Sequence, residues 1–326
     1  MANRWLYAGG DIGMMRNSGT PTSDTTAGRR NATYADHAVS GTTTAGVYAD
    51  FIDSAGASDA AVTGEVLYAR ATLYGTGTAS VNNFLQIVDG SDQPWIALRN
   101  TANGVAGLYY NSNTGASPTW TQIGSSGSAS GLAVWVFKVT LGSPHVIELY
   151  KDGALFASGN ATMASFTSAD ALRFQGVGAT ASQCSEFAAT VGISLIGSNV
   201  YYGKPSAAGS NSGWTGAYTT IDDVGIDDTD LISSGTAAQK STFAYADLPT
   251  LAAGYTIGDL FMWTRAKNDG AAPANVKPVR RDSGSTDNVG SSFSGMGVGF
   301  AEFLTRYSGI SPAEYNASEF GVESAT

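Results

Sequence analysis

Apolar residues alternate with small or polar ones in short runs along most of this chain, and long helical periodicity is nearly absent. EVLYARATLYG (Glu65–Gly75) alternates as a half-buried strand does. NFLQIVDGSDQPWIALRN (Asn83–Asn100) reads as two strands around the turn residues Asp89 and Gly90, and GVAGLYYNSN and TWTQIG continue the series. In Leu132–Gly142, Val134, Val136 and Lys138 face one way and Trp135, Phe137 and Val139 the other. HVIELYKDGALFASG (His145–Gly159) is strand, turn, strand, with Asp152-Gly153 as the hairpin signal because glycine accepts positive φ. ALRFQGVG and SEFAATVGISLIG complete a row of short strands at regular spacing, which predicts an antiparallel sandwich.

The pattern changes at both ends of this series. Residues 1–45 contain RNSGTPTSDTTAGRRNAT, polar and weakly patterned, which predicts an extended N-terminal arm. Ordering such a segment costs roughly 1–2 kcal/mol per residue in backbone entropy, so it is expected to order against a partner. After residue 200, GKPSAAGSNSG (Gly203–Gly213) has linker composition. STFAYADLP, YTIGDLFMWTRAK and NVKPVRRD then return to short strands. The expected organisation is an arm at 1–45, a sandwich at 46–200 and a smaller β-rich unit at 201–326. One helix is expected, in SPAEYNASEFG, with Ser311 as its cap and Pro312 at its first position.

Composition narrows the partners. Charged residues make up 13% of the chain and the net charge is −10, which argues against nucleic acid and anionic lipid. A hydrophobic content of 43% is enough for a sizeable core. Cys184 is the single cysteine, so no intrachain disulfide forms. MANRWLYAGGDIGMM lacks the apolar core of a signal peptide, and no apolar run reaches the roughly 18 residues of a membrane span. A soluble protein made in the cytosol is expected.

Candidate chemistry is sparse. His37 and His145 have no cysteine or histidine set around them, which speaks against zinc. Asp222, Asp223, Asp227, Asp228 and Asp230 cluster as calcium ligands do, but without EF-hand spacing, and a solvated acidic turn accounts for them. Glycoside hydrolysis needs two carboxyls about 5–9 Å apart. Glu65 and Glu148 each lack an acidic partner in their strands, and neither a nucleophile elbow nor a P-loop is present. The reading is a chain with no catalytic residue, cofactor or metal. Tyr109, Tyr110, Trp120 and Trp214 lie near Ser/Gly/Asn loops, where aromatics suit sugars. Trp120 is the candidate for an exposed ligand-rim aromatic, whereas Trp95, Trp135, Phe137, Phe156, Phe174 and Trp263 are assigned to the core.

IELYKDGALFASG, with WIALRN, WVFKVTL and LRFQGVG as neighbouring strands, resembles the laminin-G or concanavalin A-like jelly roll over residues 46–200. CSEFAAT, GWTGAYTTIDD, TDLISSGTAAQKSTFAYADLP and the closing SPAEYNASEFGVES resemble a family of virion proteins of tailed bacteriophages, in which a LamG-like sandwich precedes a second β-unit. The resemblance implies an all-β fold, a jelly-roll sandwich followed by a smaller β-unit. It implies a non-enzymatic structural protein on the virion surface, as head decoration, collar or tail component. Its partners would be other virion proteins, and it would form a homo-oligomer. The alternative function is a carbohydrate-binding host-adhesion module of a tail fibre, with a host surface glycan as partner.

Overall fold

The structure, a computed structural model, describes residues 3–9, 15–18, 22–24, 38–41, 46–52, 57–75, 83–102, 104–113, 118–175, 182–221, 228–251, 253–270, 273–293 and 296–326. They are nearly all β. In chain order the first strands are β1 (Arg4–Gly9), β2 (Arg16–Ser18), β3 (Thr22–Asp24), β4 (Ala38–Gly41), β5 (Gly46–Asp50) and β6 (Ala61–Val62). Next come β7 (Val66–Gly75), β8 (Asn83–Val88), β9 (Pro94–Ala102), β10 (Val105–Asn111), β11 (Trp120–Ser128) and β12 (Gly131–Thr140). β13 (His145–Lys151), β14 (Ala154–Ala161), β15 (Ser168–Ala169), β16 (Ala171–Gln175) and β17 (Ser182–Val191) follow. Two large antiparallel sheets result, and β6 pairs with β15 in a separate two-stranded ribbon. Sheet A runs β14-β13-β12-β7-β17-β4-β3, with β1 also on β17, and sheet B runs β11-β10-β9-β8-β16-β5-β2. The chain is an antiparallel sandwich of the jelly-roll class with a smaller β-unit after it.

Strand alternation builds the core between the sheets. Trp135, Phe137 and Val139 of β12 meet Ile96 and Leu98 of β9, Leu108 of β10 and Phe174 of β16 in one buried cluster. The opposite face of β12 is buried too. Val134 and Val136 pack with Ala188 and Leu195, partly covered by Tyr68, Ile196 and Val200, so the stretch after β17 seals the outer face of sheet A. At the open edge, β11 and β14 approach closely. A Cβ on Gly127 would lie 2.8 Å from the Phe156 ring, and one on Gly159 would lie 2.7 Å from Ile123. The hairpin between β13 and β14 turns on Asp152 and Gly153 at φ +48° and +84°, as a two-residue turn requires. Val134 N–H donates to the Asp152 carboxylate at 3.0 Å, which ties the turn to β12.

A buried ion pair organises β17. Glu186 sits at φ +55° where the register against β7 shifts between Ser185 and Ala188. Its carboxylate accepts from Arg70 Nη2 at 2.7 Å and from Thr72 Oγ1 at 2.6 Å, and its carbonyl accepts from Arg70 Nη1 at 2.9 Å. The Arg70 and Glu186 side chains are 0% and 3% exposed.

The described parts of residues 1–45 are strands β1 to β4, which pair within the two sheets. β1 pairs along β17 from Arg4–Val191 to Gly9–Phe187, and Leu6 and Tyr7 are buried in the main core. Polar composition around Arg29 and Arg30 hid this short apolar strand. Arg4 anchors it: its guanidinium donates to both Glu65 oxygens at 2.6 and 3.0 Å and to Asp59 at 2.8 Å. Arg29, Arg30 and His37 lie outside the described residues.

Tyr201–Thr326 belong to a second compact unit. Its strands are β18 (Pro205–Ser212), β19 (Lys240–Tyr245), β20 (Asp259–Ala266), β21 (Asn275–Arg281), β22 (Asp287–Val289), β23 (Ala301–Ser308) and β24 (Glu319–Ala325). Five form the sheet β18-β19-β24-β21-β22, and β20 pairs with β23. The linker-like stretch is therefore an edge strand, β18. Glu319 holds it by accepting from Ser210 N–H and Ser210 Oγ, both at 2.7 Å. Helix α1 (Pro312–Asn316) starts as expected, with Ser311 Oγ accepting from Glu314 N–H. Phe320 centres the local core, its ring 5.7–5.8 Å from those of Tyr245, Tyr307 and Tyr315. Burial pushes the hydroxyls of Tyr307 and Tyr315 up to about 12. Trp263, assigned to the core, is only half-buried on the two-stranded β20–β23 ribbon.

Two stability outcomes follow. Glu186→Gln leaves the buried Arg70 guanidinium uncompensated and is expected to lower unfolding free energy by about 3 kcal/mol or more in urea titration. Arg70→Met combined with Glu186→Gln is expected to recover part of that loss. The second outcome concerns acid. The hydrogen bond from Arg4 holds the Glu65 carboxyl below its ordinary 4.5 despite burial, with the Val62 N–H adding to it. Its contribution is present above the unfolded value and is lost as pH falls through the lower folded value. The stability gap between the wild type and Glu65→Gln is thus expected to be full near neutrality and to shrink below about pH 4.5. A gap independent of pH would show that the pair contributes nothing.

Candidate functional site

Sheet B carries a cross-strand row on the face turned away from the core. Pairing places Gln122 of β11 opposite Tyr109 of β10, Tyr109 opposite Ala97 of β9, and Ala97 opposite Gln86 of β8. Gln86 is opposite Arg173 of β16, Arg173 opposite Tyr48 of β5, and Tyr48 opposite Arg16 of β2. Period-two alternation gives the row its composition: the neighbours Leu98, Leu108, Leu172 and Val47 point inward. One step to one side of the row Arg99 lies opposite Gly107, and one step to the other Trp120 lies opposite Asn111. Gln86, Ala97 and Tyr48 are buried, whereas Gln122 is exposed and Tyr109, Trp120, Arg99 and Arg173 are half-buried.

The end of the row at β9–β11 is a defined patch. The Arg99 guanidinium lies 5.0 Å from the Tyr109 ring and 5.1 Å from the Trp120 ring. Tyr109 OH donates to Gln122 Oε1 at 2.9 Å, and Gln122 Nε2 donates to Gly124 O and Ser126 Oγ. Gly107 gives the Tyr109 ring its place, since a Cβ there would lie 3.1 Å from it. Buried Asn111 sets up the approach to Trp120: its Oδ1 accepts from Asn113 and Thr119 N–H, and its Nδ2 donates to Pro94 O. The patch therefore stands on paired strands rather than on a loop tip, which fixes its geometry.

Charge is treated differently at the two ends. Arg16 lies 4.0 Å from the Tyr48 ring centre and is neutralised by Asp50 and Asp92. Arg173 lies 5.0 Å from the same ring and, among the described residues, donates only to Gln86 Oε1, at 3.4 Å. Arg99 makes no hydrogen bond or ion pair with the described residues, and Nε of both arginines is enclosed without an acceptor. Burial lowers the Arg99 guanidinium from its ordinary value.

The other sequence candidates lie elsewhere. Tyr110 packs against the main core, and Trp214 donates to Gln239 O in the second unit. Glu65 is taken by Arg4. Glu148 pairs with Lys138 and accepts from Tyr150 OH. His145 is buried: its Nδ1 accepts from Gly142 N–H and its Nε2 faces Met163 O, while burial lowers its pKa. Cys184 is buried, and burial raises its thiol well above the ordinary value. Asp228 pairs with Arg265, and Asp222, Asp223 and Asp227 lie outside the described residues. Trp120 is half-buried against Arg99 rather than fully exposed. Of its partners, Tyr109 is among the loop-side aromatics of the sequence, and Arg99 was legible only as a strand residue.

No family model matches the chain, and no curated protein matches it. Solved structures with partial likeness include an endo-β-1,4-glucuronan lyase from the fungus Trichoderma reesei, 12% identical over 56% of this chain and 93% of that one, TM-score 0.40. Domain 4 of an extracellular arabinanase from Geobacillus stearothermophilus, in complex with arabinotriose, is 12% identical over 58% of this chain and 93% of that one, TM-score 0.38. The T. cruzi calreticulin globular domain is 7% identical over 57% of this chain and 87% of that one, TM-score 0.41. Likeness of this degree transfers neither a site nor an activity.

Removing Arg99 tests whether it serves the fold. Arg99→Ala gives up its ring contacts but also removes a half-buried, uncompensated charge. Its stability is expected to stay within about 1 kcal/mol of wild type by urea titration, with Trp120 fluorescence altered.

Proposed function

We propose that the sandwich is a glycan-binding module and that the protein acts by attachment rather than catalysis. The observation that carries this reading is the patch on β9–β11, where Arg99, Tyr109, Trp120 and Gln122 converge on one sheet face. A pyranose ring has an apolar C–H face that stacks on an aromatic ring, and hydroxyls that pair with guanidinium and amide groups. Such sites combine apolar area with a few fixed polar groups. Glu65 and Glu148 are each held by a cation, which supports binding without hydrolysis.

A glycan-binding face favours host adhesion over a purely structural role, in the virion setting that the sequence resemblance implies. The C-terminal unit would join other virion proteins, the sandwich would face a host glycan, and a homo-oligomer would multiply weak sites into useful avidity.

A glycan array followed by titration calorimetry is the test. Trp120→Ala and Tyr109→Ala are expected to weaken binding roughly tenfold each without loss of folding. A protein that binds no saccharide, or variants that bind as well as wild type, would overturn the reading.

A further inference from the structure

We infer that the saccharide is acidic, and that Arg99 and Arg173 receive its anionic groups. The inference rests on the glycan-binding reading and adds the ligand's charge.

The pairing of arginines across the protein carries it. Among the described residues, Arg4 pairs with Asp59 and Glu65, Arg16 with Asp50 and Asp92, and Arg70 with Glu186. Arg265 pairs with Asp228 and Glu302, Arg280 with Glu314, Arg281 with Asp287, and Arg306 with Asp259. Only Arg99 and Arg173, of the described arginines, have no carboxylate partner. Acidic residues outnumber Lys and Arg by 27 to 17 in this chain, so carboxylates are not scarce. Both unpaired guanidiniums lie on the same face of the same sheet. Both are half-buried, where a charge without a counter-ion is costly. A bound anion would relieve that cost.

Geometry fits one extended ligand. From Arg173 the row passes through Gln86 to Ala97, two strand spacings or about 10 Å, and Arg99 is one two-residue step, about 7 Å, further along β9. One chain of sugar units spans that diagonal and presents acidic groups to both positions. The rings of Tyr109 and Trp120 hold the Arg99 plane, and a fixed guanidinium fork takes a carboxylate or sulfate through two parallel hydrogen bonds.

The test uses the full chain with three probes: an oligogalacturonate, the same oligosaccharide with its carboxyls reduced to alcohols, and a sulfated heparin-derived oligosaccharide. The acidic probes are expected to bind at least tenfold more tightly than the reduced one, and the stronger of the two identifies carboxylate or sulfate as the preferred group. Arg99→Gln and Arg173→Gln are each expected to weaken acidic binding about tenfold, with folding checked by circular dichroism. Arg99→Lys, which keeps the charge but not the fork, is expected to restore only part. If the reduced oligosaccharide binds as tightly, and Trp120→Ala weakens it while Arg99→Gln does not, the inference falls and the glycan reading stands. If no saccharide probe binds, both fall together.

Discussion

The sandwich depends on the ion pair between Arg70 and Glu186, shut away from water on the outer face of sheet A. Two charges at that depth are tolerable only when each satisfies the other, so the pair has one acceptable arrangement. That arrangement needs Glu186 at a positive φ and a register shift in β17. The shift also divides the far edge of β17. β4 pairs with Ser182–Cys184 before it, and β1 pairs with Phe187–Val191 after it. Placement of the N-terminal strand, burial of Leu6 and Tyr7, and the anchor from Arg4 to Glu65 all depend on where β17 bends.

The outer faces of the two sheets have been put to different uses. On sheet A the stretch after β17 lays Leu195, Ile196 and Val200 over Val134, Val136 and Tyr68, and the charges beside them are paired. On sheet B the row from Gln122 to Arg16 is made of amides, phenols and guanidiniums. Its charges are matched at one end and unmatched at Arg99 and Arg173. Unpaired, half-buried charge next to partly exposed aromatic rings is an arrangement that stability alone does not favour, and the proposed glycan site rests on it.

Local sequence carried much of the fold because strands and turns are local. The alternation in Leu132–Gly142 separates Trp135, Phe137 and Val139 from Val134 and Val136 as the two faces of β12 do. Asp152-Gly153 makes its hairpin because only the turn's own backbone angles matter, and Ser311 caps its helix for the same reason. Composition misled where neighbours decide. The Ala/Gly/Ser stretch of β18 looks like a linker, yet Glu319, more than a hundred residues away, satisfies its backbone and hydroxyl. β1 is six largely apolar residues beside a polar tract, and only pairing with β17 reveals it.

The candidate site divides along the same line. Sequence alone determined that the chain is acidic, predicted an all-β fold and nominated Trp120 as a candidate rim aromatic near a loop. It also gave Glu65 and Glu148 no acidic partner. It could not show that Tyr109, Arg99 and Trp120, from three different strands, meet on one face, because cross-strand register is set by sheet assembly. Nor could it show which arginines lack a counter-ion. Pairing of charge is a property of distances in the folded chain, and among the described residues only tertiary structure leaves Arg99 and Arg173 without a carboxylate while seven other arginines find one.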